Sequence, residues 1–258
     1  MKLIDPKQVA DQLIAFLKQS FQRAGFNNAV LGLSGGLDSA VSCMLAVRAL
    51  GIDHVYPILL PYGTLSTQAT LDAMSVIEML KISPTHVSRV DIKPVLDPLT
   101  GKEFGMENVR RGNLMARTRM MILYDNAKKR NALVVGTENK SEHLLGYFTR
   151  FGDEASDIEP LRNLYKTQVY DLAKYLGVPE SILVKKPSAG LWEGQTDEGE
   201  FGFTYKDADE ILFLSFDEKK SPDEIVAAGF SKDIVDKVLA RAHLNDFKHH
   251  LPVLPNLR

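Results

Sequence analysis

The stretch AVLGLSGGLDSAVSCMLAVRAL, residues 29–50, joins an apolar run to an apolar segment of helical spacing through a loop rich in glycine and serine. The run at 30–33 is typical of a buried strand, whereas apolar residues after position 40 recur every three or four positions, as on one helix face. The loop GLSGGLDS, residues 32–39, is therefore predicted to connect a strand to a helix. Because glycine tolerates a positive φ and a helix start presents free N–H groups, we expect Gly35 and Gly36 to let a phosphate approach this loop.

Asp38 introduces a negative charge into this predicted phosphate site. Two anions repel unless a divalent cation lies between them, and Mg²⁺ prefers such hard oxygen ligands. Ser34 and Ser39 add hydroxyl donors. The loop thus indicates binding of a magnesium pyrophosphate group. The alternative is a simple turn in which Asp38 or Ser39 only caps the helix.

The loop is not a P-loop of the form Gly-x4-Gly-Lys-Ser/Thr, because no lysine follows its glycines. Its pattern Ser-Gly-Gly-x-Asp-Ser resembles the loop of the N-type ATP pyrophosphatases. This resemblance implies an enzyme that adenylates an oxygen of its substrate, releases pyrophosphate, and lets a nitrogen or sulfur nucleophile displace AMP. It also implies that the loop residues bind ATP, namely Gly32, Leu33, Ser34, Gly35, Gly36, Leu37, Asp38 and Ser39.

The overall composition excludes several other classes of protein. The chain has 258 residues, with 31 basic and 33 acidic side chains and a formal net charge of -2, so it lacks the basic field that nucleic-acid binding generally uses. The single cysteine, Cys43, excludes an internal disulfide and a Cys-x-x-Cys site. No apolar run approaches the roughly 20 residues of a membrane span, and the N-terminus lacks the apolar core of a secretory signal. We therefore expect a cytoplasmic enzyme without membrane or nucleic-acid partners.

Apolar runs and helical patterns alternate along the first part of the chain. Strands are predicted at 30–33, 55–60, 86–92 and 132–136, and helices at 6–25, 40–50, 66–80 and 112–129. This alternation predicts an α/β fold with a doubly wound, mostly parallel sheet flanked by helices, and a mostly helical C-terminal portion. We expect a single domain over residues 1–258, with the core sheet in about 25–165 and the helical portion in about 166–258. Since ligands bind at the carboxyl ends of such strands, the loop at 32–39 and the segment after the fourth strand are predicted to face one site.

Several blocks after residue 135 narrow the resemblance. The segments GTENKSE (136–142) and GYFTRFGD (146–153) resemble those of the ammonia-dependent NAD(+) synthetases. Further matches are PL (160–161), LYKTQV (164–169), KPSA (186–189) and GQTDE (194–198). The resemblance implies an adenine nucleotide alpha hydrolase-like fold and a homodimer with substrate sites at the subunit interface, for which the apolar faces before Gly25 and around Met120 and Met121 are suitable.

The resemblance assigns Asp38 and Glu142 as Mg²⁺ ligands. It assigns Thr137, Lys166 and Ser188 to ATP binding, with the lysine neutralising phosphate charge. Without it, Glu142 would be interpreted as a solvated acid favoured by a helix dipole, Thr137 as a helix cap, and Lys166 as an ordinary lysine at a helix start.

The predicted helix at 112–129 has Asn113, Arg117, Met120 and Tyr124 along one stripe. An arginine among large apolar side chains needs an anionic partner. By resemblance, Arg117 binds deamido-NAD. The alternative is an amphipathic helix with an arginine that reaches solvent.

Arg150 and Asp157 also match positions that bind the dinucleotide, although the family often has lysine at the former. The chain departs from the family again at Glu154 and at Gly190, which puts local loop contacts in doubt. Asp153 is a candidate to accept a proton from bound ammonium, because the nitrogen must lose its charge before it attacks.

These observations predict ATP-dependent amidation of deamido-NAD by ammonia, with AMP and pyrophosphate as products. Since only 31 residues precede the loop, we expect no glutaminase region, so free ammonia or a separate glutaminase subunit supplies the nitrogen. Two alternatives remain: a tRNA-modifying or other N-type ATP pyrophosphatase, and a nucleotide-binding regulator without catalysis. We also expect the segment 189–202, rich in glycine and acids, to become ordered over ATP.

Overall fold

The computed structural model describes residues 1, 3–101, 105–250 and 255. In this part of the chain a parallel sheet has the strand order β3-β2-β1-β4. Its strands are β1 (Asn28–Gly32), β2 (Val55–Leu59), β3 (Ser88–Arg89) and β4 (Ala132–Val134). The predicted α/β class with a parallel sheet is confirmed.

Helices surround this sheet and make up most of the chain after it. Those before β4 are α1 (Pro6–Ala24), α2 (Leu37–Leu50), α3 (Thr67–Leu80), α4 (Lys93–Thr100) and α5 (Asn108–Arg130). Those after it are α6 (Lys140–Leu145), α7 (Lys166–Leu176), α8 (Glu180–Leu183), α9 (Asp197–Phe201), α10 (Tyr205–Leu212), α11 (Pro222–Ala227) and α12 (Lys232–Asn245). Among the helices of the described residues, none combines the length and the apolarity that crossing a bilayer requires.

The two faces of the sheet are covered by different helices, because successive side chains of a strand point to opposite sides. Ala29 and Leu31 of β1 belong to a buried cluster with residues of α1, α2 and α7. Val30 lies in a second cluster, with Leu96 of α4 and Met115 of α5. The sheet is therefore buried on both faces, as in a doubly wound fold.

The strand predicted at 86–92 is much shorter in the structure. β3 lies at the edge of the sheet and pairs only with β2. Beyond it, the amides of Val90 and Ile92 still donate to the carbonyls of Leu59, at the end of β2, and Pro61, just after it, at 2.9 Å each. Helix α4, which was not predicted, follows directly and buries Leu96 against the sheet.

The helical portion after α7 has an apolar cluster of its own, formed mainly by α10 and α12. Leu145 of α6 and Tyr165, which precedes α7, belong to the same cluster. The end of α6 and the start of α7 therefore pack against this C-terminal portion.

Candidate active site

The predicted phosphate loop, residues 32–39, connects the end of β1 to the start of α2. Gly35 has φ +77°, and a Cβ there would lie 2.0 Å from the carbonyl oxygen of Ala69 in α3, so the loop packs against that helix without space for a side chain. Gly36 has φ -92°. Only Gly35 therefore uses the positive φ that glycine tolerates. Helix α2 begins at Leu37, and Gly36, its N-cap, adopts extended backbone.

Ser34 and Ser39 hold the loop together from within. The Ser39 hydroxyl accepts from the Ser34 amide at 3.2 Å and donates to the Gly36 carbonyl at 3.0 Å. The Ser34 hydroxyl accepts from the Gly36 amide at 3.2 Å. No side chain caps the start of α2 within the described residues, which excludes Asp38 and Ser39 as its cap. The N–H groups of its first turn are therefore available to an anion.

A second loop, after β4, meets the phosphate loop at the carboxyl edge of the sheet. Asn139 caps α6 by accepting from the Glu142 amide at 3.0 Å, and its Nδ2 donates to Asp38 Oδ1 at 3.0 Å. Asn139 is fully buried. The predicted convergence of the two loops is thus made by one amide side chain that the sequence analysis did not single out.

Lys166, at the first position of α7, lies between the two predicted metal ligands. Its Nζ is 2.6 Å from Asp38 Oδ2 and 3.1 Å from Glu142 Oε1, and the lysine is almost completely buried. Burial would lower the pKa of Lys166, but the two carboxylates together raise it above its ordinary value. Burial raises the pKa of Glu142, and Lys166 opposes that change. The cluster is a buried ion triad that fixes one ammonium group.

The triad also bears on the predicted Mg²⁺ ligands. Within the described residues, no group of three or more His, Cys, Asp or Glu side chains is arranged to hold a metal ion. Asp38 and Glu142 nevertheless direct carboxylate oxygens to one common cation position, which Lys166 Nζ fills. Oxygen ligands suit Mg²⁺, which usually binds through one or two carboxylates together with substrate phosphates. The donor set therefore fits a nucleotide-bound cation better than a metal held by protein alone.

The segment predicted to cover ATP approaches the triad through Asp197, at the start of α9. Asp197 is buried, and its Oδ2 accepts from the Tyr205 hydroxyl at 3.0 Å. The Tyr205 ring lies 5.3 Å from Lys166 Nζ. Burial raises the pKa of Asp197, and Lys166 lowers it. Ser188, by contrast, is exposed and donates to the Gln195 carbonyl at 2.7 Å, so it shapes its own segment rather than contacting the triad.

The stripe predicted on α5 faces the segment that contains the other candidate substrate residues. Arg117 donates through two nitrogens to the Arg150 carbonyl, both at 3.3 Å, and Asn113 accepts from the Thr149 hydroxyl at 3.0 Å. The Asp157 carboxylate accepts from the Val134 amide at 2.7 Å. A cavity of about 520 Å³ opens beside them. Its lining includes Tyr124, Phe151, Glu154, Asp157, Glu159 and Arg162.

Asp153 lies in the same segment but does not contact the triad through any described hydrogen bond. Its carboxylate accepts from the Thr149 amide at 2.9 Å. The residue is exposed, yet the crowding of protein atoms around its carboxyl group raises its pKa, while the Thr149 amide lowers it. Thr137, the remaining predicted ATP contact, is half-buried in the loop after β4.

A turn near the C-terminus holds residues 146–150, and the sequence analysis did not predict it. Lys248 Nζ donates to the carbonyls of Gly146 and Phe148 at 2.6 and 3.0 Å. The Arg150 guanidinium donates to the His250 carbonyl at 2.5 Å. Isolated Lys and His residues in a terminal turn carry no sequence signal for such contacts.

Known proteins resemble this chain over nearly its whole length. A family model described as NAD synthase matches residues 9–252. The NH(3)-dependent NAD(+) synthetase of Fusobacterium nucleatum is 44% identical over 252 residues, which cover 98% of this chain and 96% of the relative.

Two solved structures are similar over nearly their whole length. The NMN synthetase of Francisella tularensis has a TM-score of 0.86 and 38% identity, covering 98% of this chain and 100% of that one. The NH3-dependent NAD synthetase of Campylobacter jejuni, in complex with a nitrate ion, has a TM-score of 0.82 and 30% identity with the same coverage.

Proposed function

Because the chain belongs to the NAD synthase family, we propose that its site converts deamido-NAD to NAD with ATP and ammonia. The nicotinate carboxylate attacks the α-phosphorus of ATP, and the bond to pyrophosphate breaks. Ammonia then attacks the carbonyl carbon of the mixed anhydride, AMP leaves, and the nitrogen gives up a proton. Positioning and charge stabilisation supply the rate enhancement of both steps.

The observation that carries this proposal is the position of Lys166 at the phosphate loop. Its ammonium is fixed beside the start of α2, whose first N–H groups lack a side-chain cap in the described residues. An ammonium and free helix amides together suit the β- and γ-phosphates that leave as pyrophosphate. The loop residues 32–39, Thr137 and Ser188 are proposed to contact the rest of ATP.

Asp38 and Glu142 would hold Mg²⁺ once ATP is bound. When bound, the cation neutralises phosphate charge and stabilises the departing pyrophosphate. Lys166 must then exchange at least one carboxylate for a phosphate oxygen. That exchange is chemically reasonable, since an ammonium on a flexible stem can turn between two nearby anions.

Deamido-NAD is proposed to bind along α5 and the segment 149–157. Arg117 donates through two nitrogens to one backbone carbonyl, and none of the contacts described above pairs its guanidinium with a carboxylate. A dinucleotide pyrophosphate would supply that anion. Arg150 and Asp157 flank the same segment, and the cavity of about 520 Å³ offers room for part of the ligand.

Asp153 is proposed to accept the proton of bound ammonium. Its raised pKa makes it a better base than an ordinary aspartate. The nitrogen is proposed to come from free ammonia or from a separate glutaminase, and the reaction to take place in the cytoplasm.

A homodimer is proposed because apolar side chains are exposed on α1 and α5. Phe16 on α1 and Met121 on α5 are 43% and 56% exposed. A second cavity, of about 760 Å³, lies between α1 and the segment 157–163. Sedimentation of the purified protein should give twice the chain mass, and Met121→Glu should shift it toward one.

The similarity to an NMN synthetase favours a second candidate, amidation of the corresponding mononucleotide. One assay separates the candidates. The protein is incubated with Mg-ATP, ammonium and either deamido-NAD or deamido-NMN, and NAD, NMN, AMP, ADP and pyrophosphate are measured. The higher kcat/KM identifies the substrate. ADP as product would contradict both candidates and every other N-type ATP pyrophosphatase. No amide from either acid would contradict both candidates and leave a tRNA-modifying enzyme or a regulator.

A further inference from the structure

Asp209, in α10, is a completely buried carboxylate outside the residues assigned above. It accepts from the Ser141 hydroxyl at 2.5 Å, from the Thr167 amide at 2.8 Å and from the Thr167 hydroxyl at 2.7 Å. One side chain of the C-terminal helical portion thus contacts both α6 and α7.

These bonds converge on the backbone that carries the ion triad. Ser141 directly precedes Glu142, and its hydroxyl also accepts from the Lys166 amide at 2.8 Å. The first two amides of α7, those of Lys166 and Thr167, are therefore satisfied by Ser141 and Asp209. A helix start that binds external acceptors is fixed in rotation and position by them.

We propose that Asp209 is a positioning residue that sets the Lys166 ammonium against the phosphate site. Its expected effect on turnover rests on the amidation proposed above, whereas its expected effect on ATP binding does not. Asp209 does not touch the substrate in this scheme; it acts through Ser141 and α7. The same face of α10 carries Tyr205, whose ring lies 5.3 Å from Lys166 Nζ.

The test compares Asp209→Asn with Asp207→Asn. The two changes remove equal charge from the same helix, but Asp207 bonds only to Thr204 among the hydrogen bonds of the described residues. Asparagine keeps the shape of aspartate but replaces one carboxylate oxygen, an acceptor, by an NH2 group, a donor. That NH2 group would then face the donors of Ser141 or Thr167. We expect Asp209→Asn to weaken Mg-ATP binding about tenfold by calorimetry and to lower kcat by up to roughly 100-fold, with the KM for ammonium within about twofold of the native value. Asp207→Asn should match the native protein.

A role in packing alone is separated by a second measurement. If Asp209 acts through Lys166, Asp209→Asn should add nothing to the loss of Mg-ATP affinity caused by Lys166→Met. Multiplying losses, or native affinity in folded Asp209→Asn, would overturn the proposal.

If Asp209→Asn does not fold, Ser141→Ala and Thr167→Val carry the test. The first removes the hydroxyl that bonds to Asp209 and to the Lys166 amide, and the second removes one bond to Asp209. We expect each to weaken Mg-ATP binding about threefold, and native affinity in both would again overturn it. Mg-ATP binding is measured without deamido-NAD or ammonium. If the native protein makes no NAD, the proposed function is refuted, but the effect of Asp209 on Mg-ATP binding can still be tested.

Discussion

Removal of the Lys166 ammonium is the most direct test of the ion triad. Lys166→Met keeps most of the side-chain volume but leaves Asp38 and Glu142 without their common cation. Both carboxylates are mostly shielded, with side chains 16% and 17% exposed, so water replaces the lost partner only in part. The variant should be less stable than the native protein and should bind Mg²⁺ alone more tightly.

The size of the effect follows from the contacts. At an effective dielectric constant of about 20, charges at 2.6 and 3.1 Å attract by about 6 and about 5 kcal/mol, and the burial of the ions offsets much of this. Breaking a buried ion pair from one side costs about 3–5 kcal/mol. Glu142, whose pKa burial already raises, can take up a proton when Lys166 is gone. Asp38 still accepts from Asn139. We therefore expect a loss of about 3 kcal/mol at pH 7.

Urea denaturation with and without 10 mM MgCl2, at about pH 6 and about pH 9, measures each term. An acid whose folded-state pKa lies above its unfolded-state pKa makes the protein less stable as pH rises between the two values. Glu142 is such an acid, and loss of Lys166 raises its folded-state pKa further, so the stability deficit of Lys166→Met should grow from pH 6 to pH 9. MgCl2 should recover about 1 kcal/mol or more if it binds with a Kd near 1 mM.

Lys140→Met is the matched control. Lys140 pairs with Asp217 at 2.6 Å on a more exposed part of the surface, so its loss should cost at most about 1 kcal/mol and should not respond to Mg²⁺. If the two variants were equally stable, or if Mg²⁺ had no effect on Lys166→Met, the triad would not be the cation position described here.

Three further changes probe the surroundings of the site. Gly136→Ala places a Cβ 1.9 Å from Glu159 Oε1 and should destabilise the protein by about 1–3 kcal/mol in urea, with part regained on adding Glu159→Ala. Burial raises the pKa of Glu138 to about 8, although the Arg162 guanidinium at 2.6 Å opposes that change, so Glu138 should contribute a loss of stability between about pH 4.5 and 8. Glu138→Gln should reduce that loss without removing it, because burial also raises the pKa of Glu142 and Glu159. Lys248→Met removes two bonds to backbone carbonyls and should speed amide exchange in the segment 146–150; native exchange rates there would count against its bracing role.

The sheet was readable from sequence wherever a strand is buried on both sides. Runs such as 30–33 are apolar because both faces of β1 are covered. The edge strand β3 pairs on one side only, and of the seven residues predicted as a strand at 86–92 only two form one. Helix α4 was missed because Pro94 and Pro98 resemble loop residues, although the first occupies a helix start, where its missing N–H costs nothing.

The convergence of the two loops was predictable from sequence, because each follows a strand, and the adjacency of β1 and β4 brings the loops together. Asp38 was predicted from its place in the phosphate loop, whereas Glu142 was assigned by the family resemblance. Their role as Mg²⁺ ligands stays a prediction. The spacing Asn139-x-x-Glu142 fits a capping box, but nothing local tells that Asn139 also reaches Asp38, 101 residues away. Asp209 was hidden for the same reason, since its partners are chosen by how α10 packs and not by neighbours in sequence.

The positions of the three triad residues at helix starts explain why Lys166 can exchange a carboxylate for a phosphate oxygen when a cation binds. Asp38 and Glu142 lie in the first turns of α2 and α6, where the helix dipole favours an acid by about 0.3–1 kcal/mol. Lys166 opens α7, where the same dipole disfavours a cation, so its position depends on the two carboxylates and on the bonds that hold the backbone of α7. When all three are ionised, the triad has one net negative charge, which attracts a divalent cation. A cation bound there would leave one net positive charge beside free helix amides, and phosphate would then be the anion that completes the site.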